Sequence, residues 1–131
     1  MKYRRAEAAN LCMAAQEYDL RGAELMKNLD LVMRDCNGIG ADWMPEVMTK
    51  LCTKLNPVME VPAAIHDRMY VEGTSRNQAD LDFLTNTLTV IRKRYAWWNP
   101  WRYLMMRRAV RYYSYLVMFG DKAWEEARRK R

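Results

Sequence analysis

The sequence predicts a small all-α domain, and three observations lead to this prediction. Half of the 131 residues are hydrophobic, which is enough to form a core at a length typical of one domain. Glycine and proline are scarce, with five and four copies, so few positions break a helix. Apolar residues recur with a period near 3.6, and no long alternation of Val, Ile and Thr indicates a strand.

The N-terminal third predicts helices followed by a loop. Residues 2–34 follow a helical period, with Gly22 as the position where the helix can break. The segment DCNGIGADW, residues 35–43, interrupts this period, because an Asn-Gly pair and a further glycine favour a turn. A short helix is predicted over 44–54, with Pro45 in its first turn.

Proline and glycine delimit a pair of central helices. Pro62 suits the first turn of a helix that ends just before Gly73, a good stop signal. Ser75 is then a favourable N-cap, and Gln78 three positions later completes a capping box for a helix over 76–95. The short connection predicts that these two core helices run antiparallel.

The C-terminal region predicts two more helices. The segment WWNPW, residues 97–101, breaks the helical pattern, and Pro100 can begin a helix that runs to about residue 119. Gly120 then allows a final short basic helix. We predict a single domain over 1–131, with N-terminal helices at 1–34, a core at 35–95 and basic aromatic helices at 96–131.

Positive charge is concentrated near the C-terminal end. Residues 92–131 carry 12 Lys and Arg against 3 Asp and Glu, whereas the other 91 residues have a net charge of −3. This asymmetry indicates an anionic partner for the basic part, such as lipid head groups, nucleic acid or an acidic protein. A basic face that is only solvated remains the alternative.

The helix predicted over 101–119 is amphipathic. Its apolar face consists of Met105, Ala109, Tyr112 and Leu116. Its opposite face carries Arg107, Arg108 and Arg111, and the preceding break supplies Trp97, Trp98 and Trp101. Tryptophan beside a basic amphipathic helix fits binding to an anionic phospholipid membrane surface. A core helix with a solvated arginine face and nucleic-acid binding through the basic stripe are the alternatives.

Cysteine usage and the N-terminal sequence bear on location. Three cysteines without a framework spacing predict free thiols in a reducing compartment, and one histidine without a CxxC pair argues against zinc. No signal peptide is recognisable, and no apolar run approaches the ~18 residues that span a bilayer. We therefore expect a soluble, cytoplasmic protein.

The single histidine, His66, lies in the segment AIHDRMY. On a helix, His66 and Tyr70 share a face, whereas Asp67 is rotated by about 100° and points elsewhere. On the next helix, Asp80 falls on the apolar stripe, where an unpaired carboxylate is costly, while Asp82 lies off it and can be solvated. We expect Asp80 to hold the imidazole by one nitrogen and leave the other as a general base. A purely structural histidine is the alternative.

The segment CNGIG, residues 36–40, is a candidate cation loop. Glycines at 38 and 40 allow a tight backbone that directs carbonyl groups toward one point. Carbonyl oxygens together with a carboxylate such as Asp67 make a hard oxygen site that suits Ca²⁺. An ordinary Asn-Gly turn is the alternative.

Three segments in this order, CNGIG, IHDRMY and SRNQADLDFL, resemble the phospholipase A2 superfamily. The hallmark of that family is a glycine-rich calcium loop, a helix with His-Asp-x-x-Tyr and a second helix with an aspartate. The resemblance covers about residues 36–91 and is closest to compact phospholipase A2-like domains of bacteria, fungi and viruses. Similar short patterns of His-Asp followed by Ala-Asp also occur in phage proteins, so we expect a phage or prophage origin and a cytoplasmic or phage-associated protein.

The resemblance implies a calcium-dependent esterase that hydrolyses the sn-2 ester of phospholipids without a covalent intermediate. His66 would be the general base that activates water, Asp80 would orient it, and Tyr70 would be hydrogen-bonded to Asp80. The implied ligands of Ca²⁺ are the carboxylate of Asp67 and the backbone carbonyls of Cys36, Gly38 and Gly40.

The sequence also departs from this family. Secreted members join the two helices by disulfides and place a cysteine near the His-Asp pair, where this chain has Ala63, Ala64 and Ile65. Without such disulfides, core packing has to hold the two helices together. The glycine loop also lies farther upstream of His66 than the corresponding loop does in the compact secreted enzymes. The alternatives are a catalytically silent phospholipase A2-like phage structural or interaction protein, and binding of nucleic acid or another anionic partner through the basic C-terminal region.

Overall fold

In a computed structural model, the described part of the chain, residues 2–39 and 45–129, consists of seven α-helices and no strand. The helices are α1 (Arg5–Glu17), α2 (Leu29–Asp35), α3 (Glu46–Leu55), α4 (Glu60–Glu72), α5 (Arg76–Arg94), α6 (Pro100–Phe119) and α7 (Asp121–Arg129). Two 3-10 turns, Ala23–Met26 and Pro57–Met59, precede α2 and α4. The predicted all-α class is confirmed.

Capping residues explain where several helices begin and end. The side chain of Asn28 accepts hydrogen bonds from the first backbone N–H groups of α2, and Asn99 does the same for α6. The predicted N-cap, Ser75, accepts a hydrogen bond from the backbone N–H of Gln78 at 3.3 Å. Gly73 ends α4 with a φ of 91°, a left-handed conformation that glycine adopts without strain.

The predicted break near Gly22 is confirmed, because α1 ends at Glu17 and a loop with left-handed Gly22 leads to the first 3-10 turn. Helix α3 begins at Glu46, so Pro45 is its N-cap and does not lie in its first turn as predicted. Helix α4 begins at Glu60, and Pro62 lies in its first turn as predicted. Pro62 is tolerated there because the backbone N–H groups of the first turn have no partner within a helix.

Helix α4 is the centre of the packing. It contacts α1, α2, α5 and α7, and nine of its thirteen residues are buried. Fully buried side chains such as Ile65 each contribute about 1.5–3 kcal/mol to stability through removal of apolar surface from water. A helix that is buried on most sides fixes the direction of its polar side chains, because those side chains need partners on the neighbouring helices.

Helix α5 lies between α4 and α6 and buries more than one stripe. The expectation that Asp82 is solvated is wrong: Asp82 is buried, accepts a hydrogen bond from Gln78 Nε2 at 2.8 Å and lies 3.6 Å from Arg21 Nη1. Nearby, the buried amide of Asn86 bonds to both the N–H and the C=O of Arg21. The loop between α1 and α2 therefore covers a polar side of α5. A helix with only one buried face would expose that side to solvent.

Helix α6 follows its predicted pattern. Met105, Ala109 and Leu116 are buried, and Tyr112 is half-buried, with its ring centroid 5.3 Å from that of Phe83. The four residues repeat every three or four positions, so they form one face that packs against α5. The predicted apolar face of this helix is confirmed.

No disulfide joins α4 to α5, because the three cysteines are free thiols. Cys36 is buried, and Cys12 and Cys52 are half-buried. Among the described residues, none of the helices combines the length and the apolar composition that crossing a bilayer would require.

We predict that Gly22→Ala lowers the free energy of unfolding by about 2–4 kcal/mol. Gly22 has a φ of 85°, and a Cβ atom there would lie 2.3 Å from Met69 Cε and 2.8 Å from Ile65 Cγ2. Urea denaturation of both proteins measures the difference. In a Met69→Leu background, which removes Cε, the cost of Gly22→Ala should fall by about 1 kcal/mol. An equal cost in both backgrounds would contradict the close approach.

Candidate active site between helices α4 and α5

The short connection between α4 and α5 brings the predicted catalytic side chains together. His66 and Tyr70 are one helical turn apart on α4, so they lie on the same face. A connection of three residues, 73–75, joins α4 to α5, and Asp80 on the second turn of α5 meets both side chains. The site is therefore built on two helices that belong to the core.

The carboxylate of Asp80 joins the two aromatic side chains. His66 Nε2 lies 2.6 Å from Asp80 Oδ1, and Tyr70 Oη donates a hydrogen bond of 2.5 Å to the same oxygen. His66 is only 7% exposed and Asp80 only 2%, so water does not compete for these bonds. The predicted pairing of Asp80 with the only imidazole is confirmed.

The identity of the partner determines the tautomer of the ring. A carboxylate can only accept hydrogen bonds, so His66 Nε2 carries the proton that Asp80 receives. In the neutral imidazole, Nδ1 then holds a lone pair and can accept a proton. Burial and the hydrogen bond to Asp80 raise the pKa of Tyr70, which keeps its hydroxyl group protonated as a donor.

Arg76 is a further contact of Asp80 that the sequence analysis missed. Its Nε atom lies 3.8 Å from Asp80 Oδ2, and its Nη2 atom donates to the carbonyl groups of Leu116 and Val117. The same guanidinium group contacts the carboxylate of Asp121. Arg76 thus connects Asp80 to the junction of α6 and α7. The sequence signal for the contact was the spacing of four residues, which places Arg76 and Asp80 on the same face of a helix.

Helix α7 covers the other side of Tyr70. Trp124 packs edge-on against the Tyr70 ring with a centroid distance of 5.1 Å, and Ala127 is buried. The sequence analysis treated this segment only as a short basic helix. The signal for its packing is the spacing of Trp124 and Ala127, three positions apart in an otherwise charged segment.

His66, Asp67 and Tyr70 line a cavity of about 760 Å³. This volume lies in the range of small-molecule binding sites. Asp67 and His66 are adjacent in sequence, and both line this cavity. Much of the remaining wall is apolar, with contributions from Ile39, Met59, Val71, Phe83, Leu116 and Phe119.

The described part of the candidate cation loop lies beside this cavity. Gly38 has a φ of 85° and lines the cavity, and Ile39 N–H donates to Thr53 Oγ1 at 3.1 Å. The thiol of Cys36 is directed to the carbonyl of Ala64 at 3.3 Å, and burial raises its pKa well above the ordinary value. Gly40 lies outside the described residues.

Calcium fits this donor set better than zinc does. In residues 2–39 and 45–129, no group of three or more His, Cys, Asp or Glu side chains is placed to hold a metal. Ca²⁺ does not need such a group, because backbone carbonyls serve as its ligands beside a single carboxylate. Asp67 and the loop residue Gly38 line the same cavity and supply oxygen donors of that kind.

A buried ion pair that the sequence analysis missed fixes the loop relative to α4. Arg68, which is 2% exposed, donates to Asp35 Oδ2 and to Glu72 Oε1 at 2.5 Å each and to the carbonyl of Leu25 at 3.2 Å. Asp35 also accepts a hydrogen bond from Arg34 at 2.6 Å. Arg68 directly follows Asp67, and Asp35 directly precedes the candidate cation loop. The ion pair therefore sets the position of Asp67 relative to the start of this loop.

The residues predicted to bind a membrane lie in two places. Trp97, Trp98 and Trp101 are exposed at the corner between α5 and α6. Arg107 is exposed on α6, whereas Arg108 and Arg111 line the cavity that also contains His66. The three arginines therefore do not share one environment.

The arrangement can perform general-base chemistry. It contains an imidazole with one nitrogen held by a buried carboxylate, next to a cavity that can hold a small molecule. Comparison of the chain with protein-family models, with curated proteins and with solved structures finds no match. Function is consequently inferred from the chemistry of this site and from the sequence resemblance.

We predict that Asp35→Asn lowers the free energy of unfolding by about 3 kcal/mol at pH 7, because it removes the buried one of the two carboxylates that pair with the buried Arg68 charge. Urea denaturation checks this value. The matched control is Asp30→Asn, which removes an exposed pair with Arg5 and should cost less than about 1 kcal/mol.

The effect of Asp35→Asn should also depend on pH. Burial alone would raise the pKa of Asp35, but the hydrogen bonds and charges of Arg34 and Arg68 outweigh it and lower the pKa. A lowered pKa stabilises the folded state above the unfolded pKa of about 3.9, and this stability is lost as the pH falls through the folded pKa. The free energies of unfolding of wild type and variant should therefore converge at a pH below the folded pKa of Asp35. A constant difference between pH 7 and strongly acidic pH would contradict the assignment.

Proposed function

We propose that this protein is a calcium-dependent esterase of the phospholipase A2 type that hydrolyses the sn-2 ester of phospholipids. The observation that carries the proposal is the 2.6 Å contact of His66 Nε2 with the buried Asp80 carboxylate, on the wall of a cavity that Asp67 also lines. The resemblance of residues 36–91 to the phospholipase A2 superfamily supports the same activity.

The general base in this proposal is His66. Its Nδ1 atom takes a proton from a water molecule while the water oxygen attacks the ester carbonyl carbon. The imidazolium ion that forms is stabilised by Asp80, to which Nε2–H is already bonded. Nδ1 then returns the proton to the leaving oxygen as the carbon–oxygen bond breaks, which yields a lysophospholipid and a free fatty acid.

The residues that would hold Ca²⁺ are Asp67, through its carboxylate, and Gly38, through its backbone carbonyl. The carbonyls of Cys36 and Gly40 remain predicted ligands. When bound there, Ca²⁺ supplies a Lewis acid for the ester carbonyl and positive charge for the phosphate. Asp67 can take this role without displacing His66, because neighbouring residues leave a helix about 100° apart.

Tyr70 and Arg76 act as positioning residues in this proposal. Tyr70 donates to the same Asp80 oxygen that holds His66, and Arg76 lies beside the other oxygen. A carboxylate held from both sides cannot rotate away from the imidazole. The geometry of the base is thus preorganised before substrate binds, which is what lowers the barrier of such a reaction.

Contact with an anionic membrane surface remains part of the proposal. The exposed Trp97, Trp98 and Trp101 and the exposed Arg107 lie on the basic C-terminal part of the chain. Tryptophan side chains partition into the head-group region, and arginine attracts anionic lipids. Both properties would concentrate the protein on its substrate.

We predict that His66→Gln lowers phospholipid hydrolysis by about 10²–10⁴-fold, which is the contribution of a positioned general base. The assay uses vesicles of mixed phosphatidylglycerol and phosphatidylcholine, with Ca²⁺ or with EGTA, and mass spectrometry of the lysophospholipid and fatty acid. Wild-type product should form only with Ca²⁺.

The control for this assay is the circular dichroism spectrum of His66→Gln, which should equal that of wild type, since glutamine can occupy the site without breaking α4. Absence of lysophospholipid from folded wild-type protein at every Ca²⁺ concentration would refute the esterase. That result would favour the catalytically silent scaffold.

A further inference from the structure

Helix α6 divides its arginines between the cavity and the solvent. Arg108, Tyr112, Tyr115 and Phe119 follow one another at intervals of three or four residues, and all four line the cavity. Arg111 lines it as well. One face of α6 therefore forms a cavity wall that combines aromatic rings with two guanidinium groups.

Among the described residues, neither Arg108 nor Arg111 has a carboxylate within salt-bridge distance. Arg108 Nη1 donates to the carbonyl of Leu55 at 3.0 Å, which is a neutral acceptor. A guanidinium group on a partly apolar wall favours an anionic ligand, because it offers several parallel N–H donors.

The carboxylates that line the cavity lie on other elements. Asp35 is neutralised by its contacts with Arg34 and Arg68. Asp67 lies on α4, beside His66, and Glu126 lies on α7. The α6 wall is thus positive, whereas α4 carries the proposed catalytic groups.

We propose that Arg108 and Arg111 form a subsite for the anionic head group of a phospholipid, so that the site prefers anionic over zwitterionic lipids. This inference rests on the proposed function, because it takes the ester cleaved at His66 as the reference point. Arg111 is exposed and Arg108 is half-buried, which places them at the mouth, whereas the buried His66 lies deeper. A phospholipid with its ester at His66 keeps its polar head group at the mouth.

The rest of the cavity favours an amphiphile over a free anion. Met59, Val71 and Phe83 are buried apolar side chains on its wall, and Leu116 and Phe119 extend the apolar surface along α6. Such a surface gains free energy from contact with acyl chains and gains nothing from inorganic phosphate. The guanidinium groups at the mouth suit a phosphate group, and the apolar side chains inside suit acyl chains. Together they match an anionic phospholipid.

The test compares soluble short-chain substrates, so that no membrane surface takes part. We measure kcat/KM for monomeric dihexanoyl phosphatidylglycerol and dihexanoyl phosphatidylcholine. Arg108→Gln/Arg111→Gln should lose about 10-fold on the anionic substrate, the effect of a lost charge-assisted hydrogen bond, and change little on the zwitterionic one. Arg111→Gln alone, which preserves the contact of Arg108 with Leu55, should show the same direction.

The matched control is Arg92→Gln/Arg94→Gln, which removes the same net charge from two exposed positions that do not line the cavity. It should keep the preference for the anionic substrate. An equal loss of preference in this control would overturn the subsite, because general attraction by the basic helices would then explain the preference. Unchanged preference in Arg108→Gln/Arg111→Gln would overturn it as well.

A binding measurement separates this inference from the proposed function. Titration calorimetry of His66→Gln with the two lipids should show tighter binding of the anionic one, and Arg108→Gln/Arg111→Gln in that background should remove the difference. If this holds while wild type hydrolyses neither lipid, the subsite stands and the esterase fails. If inorganic phosphate displaces the anionic lipid at equal concentration, the site binds free phosphate and the head-group assignment is overturned.

Discussion

A carboxylate enclosed between two helices is stable only when it is paired, and the candidate site depends on how Asp80 meets this requirement. His66 and Tyr70 from α4 bond to one of its oxygens, and Arg76 from α5 lies beside the other. The pairing that removes the cost of burial also fixes the imidazole by Nε2. Stability and the proposed chemistry therefore require the same hydrogen bonds between these side chains. No disulfide takes part in holding them, because the three cysteines are free thiols.

The second buried charge, that of Arg68, acts on the other half of the site. It binds Asp35 at the end of α2 and the carbonyl of Leu25, so α4 is tied to the segment from which the candidate cation loop departs. Two buried charge networks, one on each side of the His66–Asp67 pair, thus orient α4 relative to its neighbours. Helix α6 contributes a third polar element, the guanidinium group of Arg108 on the cavity wall. The cavity is polar where these groups converge and apolar elsewhere.

Local chemistry predicted the helices and the central pair. Capping by Ser75 and the stop at Gly73 follow from backbone conformation, and a carboxylate on an apolar stripe required the only imidazole as its partner. The burial of Asp82 was mispredicted because a period of 3.6 assumes one buried stripe, whereas α5 contacts a helix on each side and a loop. The role of Arg68 was missed for a similar reason, since a charged residue in a helix is usually solvated. Tertiary packing decides which helix covers each face of α5, and the periodicity of the sequence does not predict it.

The measurement that tests this account most directly is the ¹⁵N NMR spectrum of the imidazole at neutral pH. The chain has one histidine, so every imidazole signal belongs to His66. If Asp80 holds the ring as described, the neutral form of the ring carries its proton on Nε2 and leaves Nδ1 unprotonated. Asp80→Asn should alter this distribution, because an amide can also donate. A neutral ring with its proton on Nδ1 in the wild-type protein would contradict the account, since the nitrogen assigned as the base would then have no lone pair to accept a proton.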